Sequence, residues 1–235
     1  MRINKRILIS SIISIILLII LIIISLIIFK NFDKMEERRE LEIKFNEYYN
    51  QKLNTFSIEN ENIDNVDIIF IGDSLTEGYD VKNYYDEYHV LNRGIGGDTT
   101  IRLEKRLKIS LYDAHPKCVV LLIGGNNLKT IFDNYERIIV DIRNNLPDTE
   151  LILLSLTCEG GKFSKNNELI KNNNIKIKEI ADSYHLSFID LYNPLLDPDT
   201  LELKASYTID GAHLNKDGYD VITPLIKEII NGKLN

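Results

Sequence analysis

Short apolar segments recur along the chain from residue 66 onward, and polar turns separate them. Most of these segments are continuously apolar rather than alternating, which is typical of strands buried on both faces of a parallel sheet. The pattern predicts five strands, at Val66–Ile71, Tyr88–Asn92, Cys118–Ile123, Leu151–Leu156 and Ser187–Asp190.

The segments between these strands carry apolar residues at helical spacing. They predict helices over residues 101–111, 131–142, 169–180 and 221–230. Regular alternation of strands and helices is typical of an α/β domain with helices on both faces of its sheet. The chain is therefore predicted to form a three-layer α/β/α sandwich with a parallel five-stranded flavodoxin-like sheet.

The N-terminal segment follows a different pattern, since Ile7–Phe29 is almost wholly Ile and Leu and only serines interrupt it. A helix of this length would extend about 35 Å, enough to cross the apolar core of a bilayer. A cleaved signal peptide is the alternative, but the run is long for one and no small-x-small cleavage site follows it. Residues 1–30 are predicted to be a short tail and one transmembrane helix.

Residues 31–63 are highly charged at first and then aromatic, and they are predicted to form a juxtamembrane spacer before a catalytic domain at residues 64–235. A spacer helix and an unstructured linker fit this composition equally well. Lys and Arg flank the apolar run on both sides and do not fix its orientation. The very short N-terminal tail favours a single-pass protein of the cell membrane with an extracytoplasmic domain.

The formal net charge of −7 argues against a nucleic-acid partner. The two cysteines cannot form a disulfide framework. Cys118 begins one predicted strand and Cys158 follows the end of another, so in a parallel sheet they lie too far apart to bond. Two free thiols are expected.

Residues able to do chemistry follow the predicted strands, where the ligand site of an open parallel sheet lies. Ser74 follows the first strand, and such a serine is either a nucleophile or a helix cap. A serine nucleophile needs a base, usually a histidine. His213 follows Asp210 by three residues in a glycine-containing turn, so the carboxylate could orient the ring; the other histidines fit surface or core positions.

Two further residues could stabilise a negative oxygen in a transition state. Gly97 precedes the expected N-terminus of a helix, and Asn126 follows a Gly-Gly turn. The backbone N–H of Gly97 and the side-chain amide of Asn126 would be donors of an oxyanion hole. Taken alone, each residue is better interpreted as part of an ordinary turn, connection or cap. No histidine cluster has metal-ligand spacing, and no metal or other cofactor is expected.

Four separated motifs, in order, resemble the four blocks of the SGNH/GDSL hydrolase family. They are GDSLTEG at 72–78, GIGGDTT at 94–100, GGNN at 124–127 and DGAHLN at 210–215. The resemblance covers about residues 64–232 and implies a Ser74–His213–Asp210 triad, with an oxyanion hole from Ser74, Gly97 and Asn126. One departure is Asn127, where the family commonly has Asp.

The resemblance implies a serine esterase that works through an acyl-enzyme. Together with the apolar N-terminus, it leads us to expect removal of short acyl groups, above all acetyl, from a cell-envelope carbohydrate. The connections after the strands are short and leave little chain for a long acyl pocket. Lysophospholipase or thioesterase activity, acyl transfer to an acceptor other than water, and a non-catalytic tethered binding module remain open alternatives.

Overall fold

A computed structural model describes residues 5–234, with side chains described at residue 18 and from residue 20 onward. Within this range five parallel strands form one sheet, in the order β2-β1-β3-β4-β5. The strands are β1 (Ile68–Gly72), β2 (Val90–Gly94), β3 (Cys118–Leu122), β4 (Glu150–Leu154) and β5 (Ser187–Ile189). All five predicted strands are confirmed, with their ends shifted by a residue or two.

The helices occupy the connections between the strands, as the alternating pattern predicts. They are α1 (Lys5–Asn60), α2 (Ser74–Glu77), α3 (Val81–Tyr84), α4 (Thr100–Lys105), α5 (Leu107–Ser110), α6 (Tyr135–Asn145), α7 (Asn167–Ser183), α8 (Tyr192–Leu195) and α9 (Lys216–Leu234). Short 3₁₀ turns lie at 112–114, 125–127, 131–133, 161–166 and 205–207.

Both faces of the sheet are covered, which gives the domain three layers. Phe70 and Val120 point to one face, where they line a small cavity with Ile222 and Ile226 of α9. Ile71, the next residue of β1, points to the opposite face and is buried as well. Because apolar side chains are buried on both faces, helices must pack against each.

The order in which the chain adds strands to the sheet changes direction at β1. The chain places β2 on one side of β1 and β3 on the other, with Gly72 paired to both Gly94 and Leu122. In an open parallel sheet such a switch point leaves a crevice beyond the carboxyl ends of the strands. The residues that follow β1, β2 and β3 therefore meet at one place.

The helix predicted over residues 101–111 is divided in the structure. α4 ends at Lys105 and α5 begins at Leu107, with Arg106 between them. The Arg106 side chain is buried rather than solvated, and its contacts lie towards the sheet. The single helix predicted here is therefore two short helices, and the buried Arg106 lies between them.

The end of α1 belongs to the catalytic domain. The compact unit begins at Lys52, although composition places the boundary near residue 64. Phe56 is buried, and Arg93 of β2 lies over its ring. Arg93 also donates to the Glu59 carboxylate and to Asn60 Oδ1. Residues 31–60 are therefore helical rather than an unstructured linker, and their role as a spacer stays a prediction.

Among the residues with described side chains, no helix contains an apolar stretch long enough to cross a bilayer. Part of the predicted span at 7–29 lies outside those residues, namely 7–17 and 19. The membrane helix therefore stays a prediction from the sequence, as does the orientation.

The two cysteines are free and buried, as predicted. Burial raises the pKa of both thiols to about 12, so neither is a nucleophile near neutral pH.

Candidate active site

The candidate nucleophile lies in the sharp turn between β1 and α2. Asp73 caps α2 by accepting a hydrogen bond from Leu75 N, and Ser74 is the first helical residue. A side chain at Gly72 would bring its Cβ within 2.0 Å of the Leu122 carbonyl oxygen, so the turn requires glycine there. The serine both begins a helix and presents its hydroxyl at the carboxyl edge of the sheet.

The structure brings Ser74, His213 and Asp210 together. His213 Nε2 lies 3.0 Å from Ser74 Oγ, and His213 Nδ1 lies 2.8 Å from Asp210 Oδ2. These distances are within hydrogen-bond reach for a nucleophile and its base, and for the base and its orienting carboxylate. The arrangement can therefore move a proton from the serine to the histidine.

The turn at 210–213 holds the Asp210 carboxylate in place. Asp210 Oδ1 accepts hydrogen bonds from the backbone N–H groups of Ala212 and His213, each at 2.9 Å. These bonds, together with the one to the imidazole, hold the pKa of Asp210 well below its usual range. The carboxylate therefore stays ionised over the pH range in which a histidine titrates.

The two predicted oxyanion donors lie on neighbouring loops after β2 and β3. Gly97 has a left-handed backbone with φ of 75°. The Asn126 side-chain nitrogen donates to the Asp98 carbonyl oxygen at 2.9 Å, which fixes the amide beside the Gly97 loop. That nitrogen carries a second hydrogen, which is free to meet a substrate oxygen.

Asn127, at the position where the family commonly has Asp, ties the same two loops together. Its Oδ1 accepts from Thr100 N at 3.3 Å, and its Nδ2 donates to Thr100 Oγ1 at 2.9 Å. An aspartate could accept from both Thr100 groups, so the asparagine preserves the connection with one bond reversed. The residue acts on loop geometry and lies outside the hydrogen-bonded triad.

A cleft of about 340 Å³ opens beside Ser74 and His213. Asn126 lies on its wall, and its apolar lining includes Leu128, Leu156 and Ile170. Glu159, Phe163 and Asn166 complete the side formed by the connection after β4. The sequence analysis did not assign Glu159, Phe163 or Asn166 to the site.

The connection after β4 is joined to the turn that carries His213. Gly160 N donates to the Gly211 carbonyl oxygen at 2.7 Å. Gly211 has φ of 96°, and a Cβ there would lie 2.5 Å from the Gly160 carbonyl oxygen. The close approach of these two backbones therefore depends on glycine at position 211.

A buried ion pair lies beneath the loops and was missed from the sequence. Arg106 Nε donates to Asp98 Oδ2 at 2.8 Å, and both side chains are fully buried. The same guanidinium donates to the carbonyl oxygens of Gly72 and Arg93, each at 2.9 Å. Arg106 thus joins the ends of β1 and β2 to the loop that carries Gly97.

Asp73, next to the candidate nucleophile, is a buried carboxyl group with other charged groups nearby. It is 4% exposed, and this burial raises its pKa to about 7. The Asp98 carboxylate raises the pKa further, while His213 and Arg106 oppose the shift. Asp73 therefore responds electrostatically to both ion pairs of the site.

The remaining histidines do not approach the cleft. His89, His115 and His185 are exposed on the surface. Within residues 5–234, with the side-chain gaps noted above, no cluster of His, Cys, Asp or Glu has an arrangement that could hold a metal ion.

Comparison with known proteins places these residues in a family. The model of the GDSL-like Lipase/Acylhydrolase family matches residues 70–221. The human platelet-activating factor acetylhydrolase IB subunit alpha2 is 31% identical over 180 residues, covering 70% of this chain and 76% of the human protein. The rat protein of the same name is 28% identical over the same shares.

Solved structures agree with this assignment. A Streptococcus pneumonia protein provisionally named a platelet activating factor has a TM-score of 0.75 and 28% identity, over 82% of this chain and 97% of that one. An acetyl xylan esterase variant from Geobacillus stearothermophilus shares the fold, with a TM-score of 0.59 and 20% identity over 72% and 96% of the two chains. The chain belongs to the GDSL-like lipase/acylhydrolase family and is a carboxylic ester hydrolase.

Proposed function

We propose that the chain hydrolyses esters by a two-step serine mechanism, and the observation that carries this proposal is the Ser74–His213–Asp210 hydrogen-bond chain. His213 Nε2 takes the Ser74 proton while Oγ attacks the acyl carbon. Asp210 holds the ring and stabilises the imidazolium. His213 then protonates the leaving alcohol, and water attacks the acyl-enzyme by the same route to release the acid and free Ser74.

The developing oxyanion is met by the backbone N–H groups of Ser74 and Gly97 and by the Asn126 amide. Support comes from Asn126, whose other N–H is fixed on Asp98 O, so the amide is oriented before substrate arrives. Ser74 contributes because the first N–H groups of a helix have no partner within it. Each such donor is worth about 3–4 kcal/mol in the transition state.

The substrate proposed here is a carbohydrate that carries short acyl groups, above all acetyl. The cleft is near the lower end of the usual range for small-molecule sites, about 300–1,000 Å³, which favours a short acyl chain. The names of the relatives, an acetylhydrolase and an acetyl xylan esterase, fit removal of acetyl groups. Anchoring through the apolar N-terminus would place the domain at the cell envelope.

The central test is Ser74→Ala with p-nitrophenyl acetate, using residues 31–235. We expect kcat to fall by a factor of about 10³–10⁶, as for other removed serine nucleophiles. Ser183→Ala is the matched control, since this exposed hydroxyl bonds only to the Glu179 carbonyl oxygen and should leave the rate unchanged. Full activity in the Ser74 variant would disprove the mechanism.

Two further measurements test the substrate and the location. Esters of increasing chain length from C2 to C12 should be cleaved fastest at C2. A rate that rises with length would instead favour a lysophospholipase or thioesterase. Protease treatment of intact cells should remove the domain if it lies outside the membrane and leave it intact if it lies inside.

A further inference from the structure

We infer that Glu159, held by Asn166, is the residue that selects the alcohol part of the ester by binding hydroxyl groups of a sugar. This inference rests on the proposed function, because it concerns the same cleft. Glu159 and Asn166 both line the cleft that contains Ser74 and His213. Neither residue takes part in the hydrogen-bonded triad, so they are available for substrate.

The Glu159 backbone is held in place, and one hydrogen bond orients its carboxylate. Its Oε2 accepts a hydrogen bond from Asn166 Nδ2 at 2.7 Å. Its backbone N–H donates to Asn167 Oδ1, and its carbonyl oxygen accepts from Asn167 Nδ2, each at 2.8 Å. Leu203 N also donates to the Glu159 carbonyl oxygen. Three of these four bonds hold the Glu159 backbone, so the residue is placed in the cleft wall before substrate binds, and the Asn166 bond orients its carboxylate.

The carboxylate is also short of partners. Within the described part of the chain, Asn166 is its hydrogen-bond donor, no Lys or Arg pairs with it, and Oε1 has none. Partial burial raises the pKa of Glu159, which reflects a carboxyl group without a compensating cation. Oε1 is open to the cleft, because it is not one of the buried polar atoms without a partner in the described residues, so a hydroxyl group of the ligand can replace water as its donor.

The pair offers a hydrogen-bond donor as well as acceptors, which hydroxyl groups match better than a cation does. Glu159 Oε1 accepts, Asn166 Oδ1 accepts, and the second hydrogen of Asn166 Nδ2 can be donated. Sugar hydroxyls both donate and accept, so two neighbouring hydroxyls can satisfy all three groups. A quaternary ammonium headgroup offers no N–H donor and would leave the amide of Asn166 unmatched. The chemistry therefore indicates a polyhydroxylated alcohol rather than a choline ester.

The test compares substrates that share the acetyl group and differ in the alcohol. Glu159→Gln keeps the size of the side chain and an acceptor for Asn166 but removes the charge. For an acetylated xylooligosaccharide we expect kcat/KM to fall by about ten-fold or more, mainly through KM, as for the loss of a charged hydrogen bond. For p-nitrophenyl acetate, which offers no hydroxyl groups, kcat/KM should not change, and for acetylcholine, which has a charge but no hydroxyl groups, it should fall less than for the sugar ester.

The matched control is Glu168→Gln, which removes an exposed carboxylate in the first turn of α7 that does not line the cleft. It should leave all three substrates unaffected. Equal losses on the sugar ester and p-nitrophenyl acetate would overturn the inference, because Glu159 would then act only on the structure. An unchanged rate on the sugar ester, or a larger loss on acetylcholine, would overturn it too.

The outcomes separate this inference from the proposed function. If the wild type cleaves p-nitrophenyl acetate through Ser74 but cleaves no acetylated sugar, the esterase mechanism stands and the role of Glu159 is wrong. If Ser74→Ala leaves p-nitrophenyl acetate hydrolysis intact, the mechanism itself is wrong, whatever Glu159 does.

Discussion

Two acid–base pairs at this site have the same hydrogen-bond length and opposite surroundings. Asp210–His213 and Asp98–Arg106 are each joined at 2.8 Å. The first pair has side chains 44% and 49% exposed, whereas the second is fully buried. The exposed pair can exchange protons with substrate and water. The buried pair fixes backbone positions instead, because the Arg106 guanidinium also donates to the carbonyl oxygens of Gly72 and Arg93.

The largest effect is expected from the exposed pair. Asp210→Asn should lower kcat by about 10⁴, because an amide cannot hold the imidazole in the required tautomer or stabilise the imidazolium. Tm should change little, since the asparagine oxygen can still accept from the turn. Steady-state kinetics and thermal unfolding measure the two effects. Asp217→Asn, an exposed change at the start of α9, is the control, and an Asp210 variant near wild-type activity would contradict the assigned role.

Breaking the buried pair should instead lower the stability of the domain. Arg106→Met leaves Asp98 buried without its partner, which costs about 3–5 kcal/mol. In a domain of this size that lowers Tm by about 10 °C. Arg137→Met, which breaks the exposed pair with Glu104, should leave Tm nearly unchanged.

A double variant separates the charge effect from packing. Adding Asp98→Asn to Arg106→Met removes the uncompensated carboxylate and should restore part of the lost stability. If Arg106→Met is no less stable than Arg137→Met, the buried pair does not have the structural role assigned to it.

Arg93 and Glu59 form an intermediate case, with Arg93 buried and Glu59 45% exposed. A chain that begins at Lys52 keeps Phe56, Glu59 and Asn60, whereas one that begins at residue 64 leaves Arg93 without them. The shorter chain should melt several degrees lower, and the Lys52 chain should match residues 31–235. Equal Tm values for all three chains would show that the end of α1 contributes nothing to the domain.

The smallest effect is expected at Asp73, between the two pairs. The pKa of Asp73 is about 7 in the folded state, whereas its usual value, which applies in the unfolded state, is near 4. Between these two pH values the folded state keeps a proton that the unfolded state has lost. Stability contributed by this group therefore falls as pH rises from about 4 to 7. Asp73→Asn keeps the cap on Leu75 N and removes this slope.

Thermal unfolding at pH 5 and pH 8 tests this prediction. The difference in Tm between the two proteins, taken as Asp73→Asn minus the wild type, should be larger at pH 8 than at pH 5. Asp199→Asn, at an exposed loop position, should give the same difference at both values. A pH-independent difference for the Asp73 variant would mean that Asp73 is ionised throughout.

The exposed half of the site could be predicted from sequence, and the buried half could not. Continuous apolar segments place the strands, and residues that follow parallel strands must meet at one edge. Asp210 and His213 lie within three residues, so their pairing is local. From the sequence, Arg106 is expected to be an exposed residue of a helix. Its partners Gly72 and Arg93 lie on strands that are far from it along the chain. The segment before residue 60 is rich in charged residues, so its contacts with the buried Arg93 likewise could not be predicted from the sequence.

Glu159 illustrates the same limit, because a single glutamate after a strand could not be assigned to the site until the structure showed it in the wall of the cleft that contains Ser74. The membrane helix remains where the sequence leaves it, as a prediction from an apolar run.

The backbone bond from Gly160 to Gly211 affects how specificity could be redesigned. Grafting a foreign loop in place of residues 158–166 would alter one wall of the cleft and also displace the turn that positions His213. Substrate range and turnover would then change together. Engineers seeking a new specificity would do better to exchange side chains on the existing loop, or to transplant both segments as one piece.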